Sequence, residues 1–172
     1  MIEMGFEGRR IDMEINTLSK RYHVRKLDKN DVDMIYDMSC KNHIFYQYHP
    51  PFVTKESILD DMTALPPGKS EEDKLYVGYF KKELLMGIMD LILDYPKKEI
   101  AFIGLFMMNT LYQNCGVGSE IIGEVIIYLQ SLGYKEIRLG VDKGNPQSYA
   151  FWTKNNFAAI SEAEYILMGL KI

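Results

Sequence analysis

Cysteine is scarce in this chain. Cys40 and Cys115 are the only two in 172 residues, far apart and without a patterned partner. Their sparseness argues against a paired-cysteine zinc site and against a disulfide framework. A reduced, cytoplasmic compartment is the expectation, and no metal is called for. Basic charge is short as well: 20 Lys and Arg stand against 24 Asp and Glu, for a net charge of -4 and an isoelectric point near 5.4. No nucleic-acid partner is expected from that balance. Apolar runs all fall short of the roughly 20 residues that cross a bilayer, so no membrane partner is expected either. The opening "MIEMGFEGRRIDMEINTLSK" lacks the continuous apolar core of a signal peptide. It reads as an N-terminal extension over residues 1–19, or an extra strand, ahead of a single domain over 20–172. Repeats and low-complexity linkers are missing too. With 47% hydrophobic residues, the chain can bury one sizeable core.

What is present is a mixed order of strands and helices. "YHVRKL" (22–27) alternates like a strand, and "DKNDVDMIYDMSCKN" carries N-cap candidates ahead of a helical pattern. "TKESILDDMTAL" opens on Thr54 with Ser57 in place of the usual Glu, a partial capping box. "KLYVGYF" and "ELLMGIMDLIL" form a hairpin around Lys81 and Lys82. "EIAFIGLFMM", Glu99 to Met108, is apolar on both faces, as a covered central strand is. "KEIRLGV" is a further strand of period two, and "EYILMGLKI" is the last.

Between the central strand and "KEIRLGV" lies "YQNCGVGSEIIGEVIIYLQSLG". Ile121, Ile122, Val125, Ile126, Leu129 and Leu132 recur there at helical spacing, and Gly133 stands where a helix ends. Gly116 and Gly118 sit at the front, where free N–H groups and the helix dipole favour an anion. The same two glycines also fit a loop that needs positive φ. Two phosphate motifs fail here. A dinucleotide fingerprint needs glycine at Ile121, and a Walker loop needs Gly-Lys at Ile121 and Ile122. Strand, helix, strand in that order implies a right-handed crossover and one parallel pair. Next comes "NPQSYAFWTKNNF", with Asn145 as N-cap, Pro146 at the first helical position and Asn156 suited to a left-handed end.

Together "YQNCGVGSEII" and "NPQSYAFWTKNNF", each after a strand, resemble the GNAT superfamily of N-acetyltransferases. The first matches Gln/Arg-x-x-Gly-x-Gly/Ala through Gln113, Gly116 and Gly118. The second matches Asn-x-x-Ala/Ser-x-x-Phe-Tyr/Trp-x-Lys-x-Gly-Phe through Asn145, Ser148, Phe151, Trp152, Lys154 and Phe157, with Asn156 where glycine is usual. The resemblance implies a mixed α/β fold, largely antiparallel, with a splayed central strand pair, and acetyl-coenzyme A as cosubstrate. Its pyrophosphate would meet the backbone of Asn114, Cys115, Gly116, Val117, Gly118 and Ser119, with Gln113 shaping the turn and Gly118 bare of Cβ to admit it. The backbones of Phe106 and Met108 would pair with the pantetheine amides, beside Met107. Asn145, Ser148 and Trp152 would complete the cofactor wall.

The chemistry so implied is direct acetyl transfer to an amine, with N–H near Met108 stabilising the oxyanion. A tyrosine that serves the departing thiolate in many members is Trp152 here. Tyr149, three residues earlier, is the nearest substitute acid, and Glu99 the candidate base. His43, Tyr46, Tyr48 and His49 fall where members build the acceptor site. The acidic residues Asp60, Asp61, Glu71, Glu72, Asp73, Asp90 and Asp94 would suit a cationic acceptor or a solvated face. The resemblance leaves room for a homodimer. A non-catalytic acyl-coenzyme A-binding module of the same fold is the alternative function, and an unrelated α/β domain the third reading.

Overall fold

The computed structural model describes residues 14–172. Its strands are β1 (His23–Lys26), β2 (Lys74–Lys81), β3 (Leu84–Ile92), β4 (Ile100–Met108), β5 (Glu136–Asp142), β6 (Ala158–Glu162) and β7 (Tyr165–Lys171). The helices are α1 (Val32–Ser39), α2 (His43–Tyr48), α3 (Lys55–Thr63), α4 (Val117–Ser131) and α5 (Pro146–Lys154). One mixed sheet in the order β1-β2-β3-β4-β5-β7-β6 holds them, antiparallel at every step except β4 with β5. This is the mixed α/β fold with one parallel pair that the strand–helix–strand order implies.

Local chemistry explains most boundaries. Thr54 and Ser57 exchange both bonds of a capping box, because a serine hydroxyl reaches the N-cap N–H as a carboxylate would. Asn145 Oδ1 accepts from Ser148 N–H, with Pro146 at the first helical position. Gly133 at φ +91 and Asn156 at φ +69 end α4 and α5 in the left-handed region. The hairpin turn falls on Lys82 and Glu83, between Lys81 and Leu84, one residue later than the sequence suggests. Two elements carry no sequence signal. All five residues of β6 are exposed, and α2 buries none, so neither shows the periodicity that marks a packed element.

The sheet is covered on both faces. Ile121, Ile122, Val125 and Leu129 of α4 pack on one face, with Val77, Tyr79 and Met89 from the sheet. Ile35, Met38 and Ile58 of α1 and α3 pack on the other, against Tyr76, Phe80, Ile88 and Met107. Leu18, on the extension side of the expected boundary, is fully buried in the first cluster. The packed unit therefore reaches back into residues 14–19, while residues 1–13 of the expected extension lie outside the described residues. Among the described residues no helix is long and apolar enough to cross a membrane.

Candidate functional site

The site starts where the parallel pair comes apart. β4 and β5 pair only from Ile100 with Glu136 to Ile103 with Leu139. Beyond that point β5 stays with β7 as far as Asp142, and β4 stays with β3 as far as Met108. Burial along β4 falls at Gly104, Leu105 and Phe106, where the partner has left. Asn109 N–H donates to the Met86 carbonyl at 2.7 Å, just outside the opposed pair Gly87 and Met108. Bonded positions alternate in an antiparallel ladder, so the backbone groups of Phe106 and Met108 turn away from β3 and into the gap.

Met108 offers only half of what the sequence suggests. Its carbonyl accepts from Asn42 Nδ2 at 3.3 Å and Gln113 Nε2 at 3.1 Å, which leaves its N–H for the gap. Gln113 Nε2 also donates to Asn42 Oδ1 at 2.7 Å, and Gln147 Nε2 reaches Gln113 Oε1 at 3.4 Å. Gln113 thus shapes its loop through side-chain bonds. Asn42, buried between α1 and α2, is a site residue that sequence reasoning missed, and no motif marks it.

The N-terminus of α4 closes one end of the gap. Asn114 and Gly116 take positive φ, +56 and +86. The first intrahelical bond runs from Glu120 N–H to the Gly116 carbonyl, so the N–H groups of Val117, Gly118 and Ser119 precede it. The two glycines have different surroundings. A Cβ on Gly116 would meet nothing within 4 Å. A Cβ on Gly118 would lie 3.1 Å from Phe151 Cε2 and 3.5 Å from Met108 Cγ. A side chain at Gly118 would press on Phe151 of α5, whereas the space beside Gly116 is open.

A cavity of about 450 Å³ occupies this end. Phe106, Met107, Met108, Gln113, Asn114, Gly116, Gly118, Ser119, Asn145, Ser148 and Trp152 all line it, as do Asn42 and Phe45. Cys115 and Val117 do not; the Cys115 thiol donates to the Tyr112 carbonyl. Trp152 is a packing residue, edge-on to Phe151 and Phe157 at 5.0 Å each. The two catalytic candidates fall elsewhere. Tyr149 is 41% exposed and lines neither cavity described here, because helical geometry turns it outward while Trp152 turns in. Glu99 precedes β4 with its N–H bonded to Asp94 Oδ1. Seven residue steps, roughly 23 Å at about 3.3 Å each, separate it from Phe106. Neither Tyr149 nor Glu99, the expected acid and base, lines either cavity.

A second cavity, about 720 Å³, lies along the gap beneath α2 and α3. It meets the first at Phe45, Phe106, Ser148 and Trp152. Tyr46, His49, Asp61, Asp90 and Asp142 line it, and no Lys or Arg does. Burial pushes the Tyr46 hydroxyl up to about 12, which keeps it neutral. Burial also raises the Asp61 carboxyl, against the attraction of Lys74 and His49. The Asp90 carboxyl is raised by burial too, although Lys74 Nζ bonds its Oδ2 at 2.7 Å; its Oδ1 is buried without a partner. Of the remaining acidic candidates, Asp73 pairs with Lys69 and Asp94 holds the Glu99 N–H. His43 stacks on Phe52 and lines neither cavity. Asp142, unread as a site residue, closes β5 next to the gap.

The sequence model of the acetyltransferase (GNAT) family matches residues 33–157. No curated protein sequence matches the chain. Among solved structures it is similar to the PaiA N-acetyltransferase from Thermoplasma acidophilum in complex with coenzyme A, at TM-score 0.67 and 20% identity, covering 88% of this chain and 99% of that one. It is also similar to an acetyltransferase from Thermus thermophilus (TM-score 0.73, 17% identity, 88% and 97% covered). A third is the ribosomal-protein-S18-alanine N-acetyltransferase from Escherichia coli (TM-score 0.62, 15% identity, 88% and 94% covered). At such identities the structural likeness establishes the fold.

Proposed function

The chain belongs to the GNAT family of acetyltransferases, and from that premise we propose that it transfers an acetyl group from acetyl-coenzyme A directly to an amine. The observation that carries this is the meeting of two cavities across the parted strands β4 and β5. One cavity offers free N–H groups at the start of α4 and the Phe106 and Met108 backbone. The other offers carboxylates and aromatic rings. An anionic, amide-bearing thioester fits the first, and a basic amine fits the second.

The residues divide the work accordingly. The N–H groups of Val117, Gly118 and Ser119, with open space at Gly116, would take the pyrophosphate. The Phe106 backbone would pair with the pantetheine amides like an added strand. Met108 N–H would face the carbonyl oxygen that gains charge as the amine attacks, and Asn42 and Gln113 hold that peptide in place through its own carbonyl. Phe106 and Trp152 wall the junction and keep water from the thioester.

A panel of amines tests the proposal: peptide N-termini, lysine, diamines and aminosugars, with free thiol release measured and coenzyme A affinity measured by calorimetry. Micromolar binding with amine-dependent thiol release is the expected result. Binding without turnover of any amine would make the protein an acyl-coenzyme A-binding module, and absent binding would reduce the glycines to loop geometry.

A further inference from the structure

Two elements from opposite ends of the chain meet across the gap. His49, at the C-terminal end of α2, places Nδ1 3.0 Å from both carboxylate oxygens of Asp142, the last residue of β5. We propose that this pair is the general base of the transfer reaction, with His49 Nε2 taking the proton from the acceptor and Asp142 positioning the ring. The proposal rests on the N-acetyltransferase reading above.

Three observations converge on it. Past the last paired residues, Ile103 and Leu139, β5 runs three residues on to Asp142 and β4 three residues on to Phe106. His49 and Asp142 line the second cavity together with Phe106, which lines the first as well. Among the described residues no hydrogen bond engages His49 Nε2, so the nitrogen opposite the carboxylate is free to accept a proton. An aspartate on Nδ1 selects the tautomer that carries the proton there and leaves the lone pair on Nε2. The imidazole side chain is also 58% exposed, which gives a captured proton a route to solvent. His43, by contrast, stacks on a phenyl ring away from both cavities.

Other charged groups belong to the elements around the pair. Asp61 of α3 lines the same cavity and couples to His49. Asp90 of β3 lines it too, paired with Lys74 of β2. Lys143, following Asp142, is turned to Glu162 of β6 at 3.7 Å. From α2 itself the Phe45 ring packs on the imidazole at 5.2 Å.

The step balances as follows. His49 Nε2 takes one proton from the acceptor ammonium. The freed lone pair forms the N–C bond, and the C–S bonding pair leaves on sulfur. The second proton lost from nitrogen goes to the thiolate, directly or through water, to give the thiol. His49 then releases its proton to solvent. Without the base, only the small neutral fraction of the amine reacts at neutral pH.

Two measurements test this. With coenzyme A bound, long-range 15N–1H spectra of the histidines should show neutral His49 protonated on Nδ1; a ring protonated on Nε2 overturns the proposal. With the best amine of the panel, His49→Gln should lower kcat/KM for the amine by about 10²-fold or more while coenzyme A affinity holds. Its pH profile should lose the acidic limb. Asp142→Asn can offer its amide N–H as well as its oxygen, so the tautomer is no longer fixed; kcat should fall with the KM for acetyl-coenzyme A unchanged. A strap that merely ties α2 to β5 would leave the pH profile in place. Turnover by His49→Gln at the wild-type rate across pH overturns this proposal alone. A wild type that binds coenzyme A but acetylates no amine overturns it together with the reading beneath it.

Discussion

The two halves of the cleft are built on different plans. The half beside α4 is made mainly from two short stretches, 106–119 and 145–154, joined by Asn42 and Phe45, and presents backbone N–H groups fixed by a strand edge and a helix end. The half beneath α2 and α3 is made from side chains scattered from Phe45 to Tyr165, several of them charged. Hydrogen bonds hold the first at every turn: Asn42 to Gln113, Gln113 to Met108, Asn145 to Ser148. In the second, Asp90 Oδ1 is buried with no partner. On the proposed reading, the backbone half serves one ligand, coenzyme A. A side-chain half can be changed residue by residue to suit an acceptor, and it bears more electrostatic tension in consequence.

The sharpest way to break this contrast is at Lys74. Its side chain is 5% exposed, and Nζ bonds Asp90 Oδ2 at 2.7 Å and the Ala64 carbonyl at 2.9 Å. Lys74→Met would leave the Asp90 carboxylate buried and unpaired, a loss of about 3–5 kcal/mol. Urea unfolding at pH 7 should show it. Coenzyme A affinity of the folded fraction should be nearly untouched, because the residue Lys74 pairs with, Asp90, belongs to the other half. The double variant Lys74→Met with Asp90→Leu should recover most of the loss; if it does not, the pair is not what the site strains against.

A smaller effect separates the two glycines. Gly118→Val should destabilise by about 1–3 kcal/mol, since its side chain drives into Phe151. Adding Phe151→Ala should return part of that stability. Gly116→Ala meets no neighbour but holds an L residue at φ +86, with a strain of about 1–2 kcal/mol. Differential scanning calorimetry of the three variants decides the assignment. If Phe151→Ala gives no relief, Gly118 is not a packing position.

The same contrast explains what the sequence could reveal. Helix caps and the glycine turn are local: Asn145, Gly133 and the α4 N-terminus each depend on neighbours within a few residues, so a short quoted stretch contains the whole cause. The parting of β4 from β5 follows from the order strand, helix, strand together with the resemblance that motif carries. Asn42 is different, because its partners Gln113 and Met108 lie far along the chain. His49 and Asp142 are another such pair, 93 positions apart. Nothing near either residue predicts the other. Tyr149 shows the converse fault: three residues from Trp152 suggests one helical face, but α5 has only a narrow buried stripe, and a three-residue step carries Tyr149 over its edge.

Next in size is the hinge between the halves. Asn42→Ala removes the bonds to Gln113 and to the Met38 and Met108 carbonyls, while Gln113 keeps its own bond to Met108. The stability loss should be about 1 kcal/mol for a hydrogen bond given up. Its larger signature is functional. The Met108 peptide is less firmly held, so kcat should fall more than coenzyme A affinity does. A fall in affinity with kcat intact would move Asn42 from the oxyanion side to the binding side.

The smallest effect lies in the pH dependence, and it separates the halves cleanly. Only the acceptor half has carboxylates in its wall, and burial raises the Asp61 carboxyl above its ordinary value. A raised carboxyl binds its proton more tightly in the folded state than in the unfolded chain. Its contribution is therefore fully present below the unfolded value of about 3.9 and is lost as pH rises through the folded value. Asp61→Asn lacks that loss. The stability of Asp61→Asn minus that of the wild type should thus grow from pH 3 to pH 7, by about 1.4 kcal/mol for each unit of elevation. Asp61 is an exposed residue by surface area, so solvent screening reduces what is measured. A bound cationic amine supplies the countercharge that the wall lacks, and saturating the wild type with one should bring the two proteins' pH curves together. Saturation with coenzyme A alone should not, because no carboxylate lines its cavity. Parallel curves for the two free proteins would show that Asp61 reaches enough water to ionise freely, and the acceptor wall would then be less strained than its burial implies.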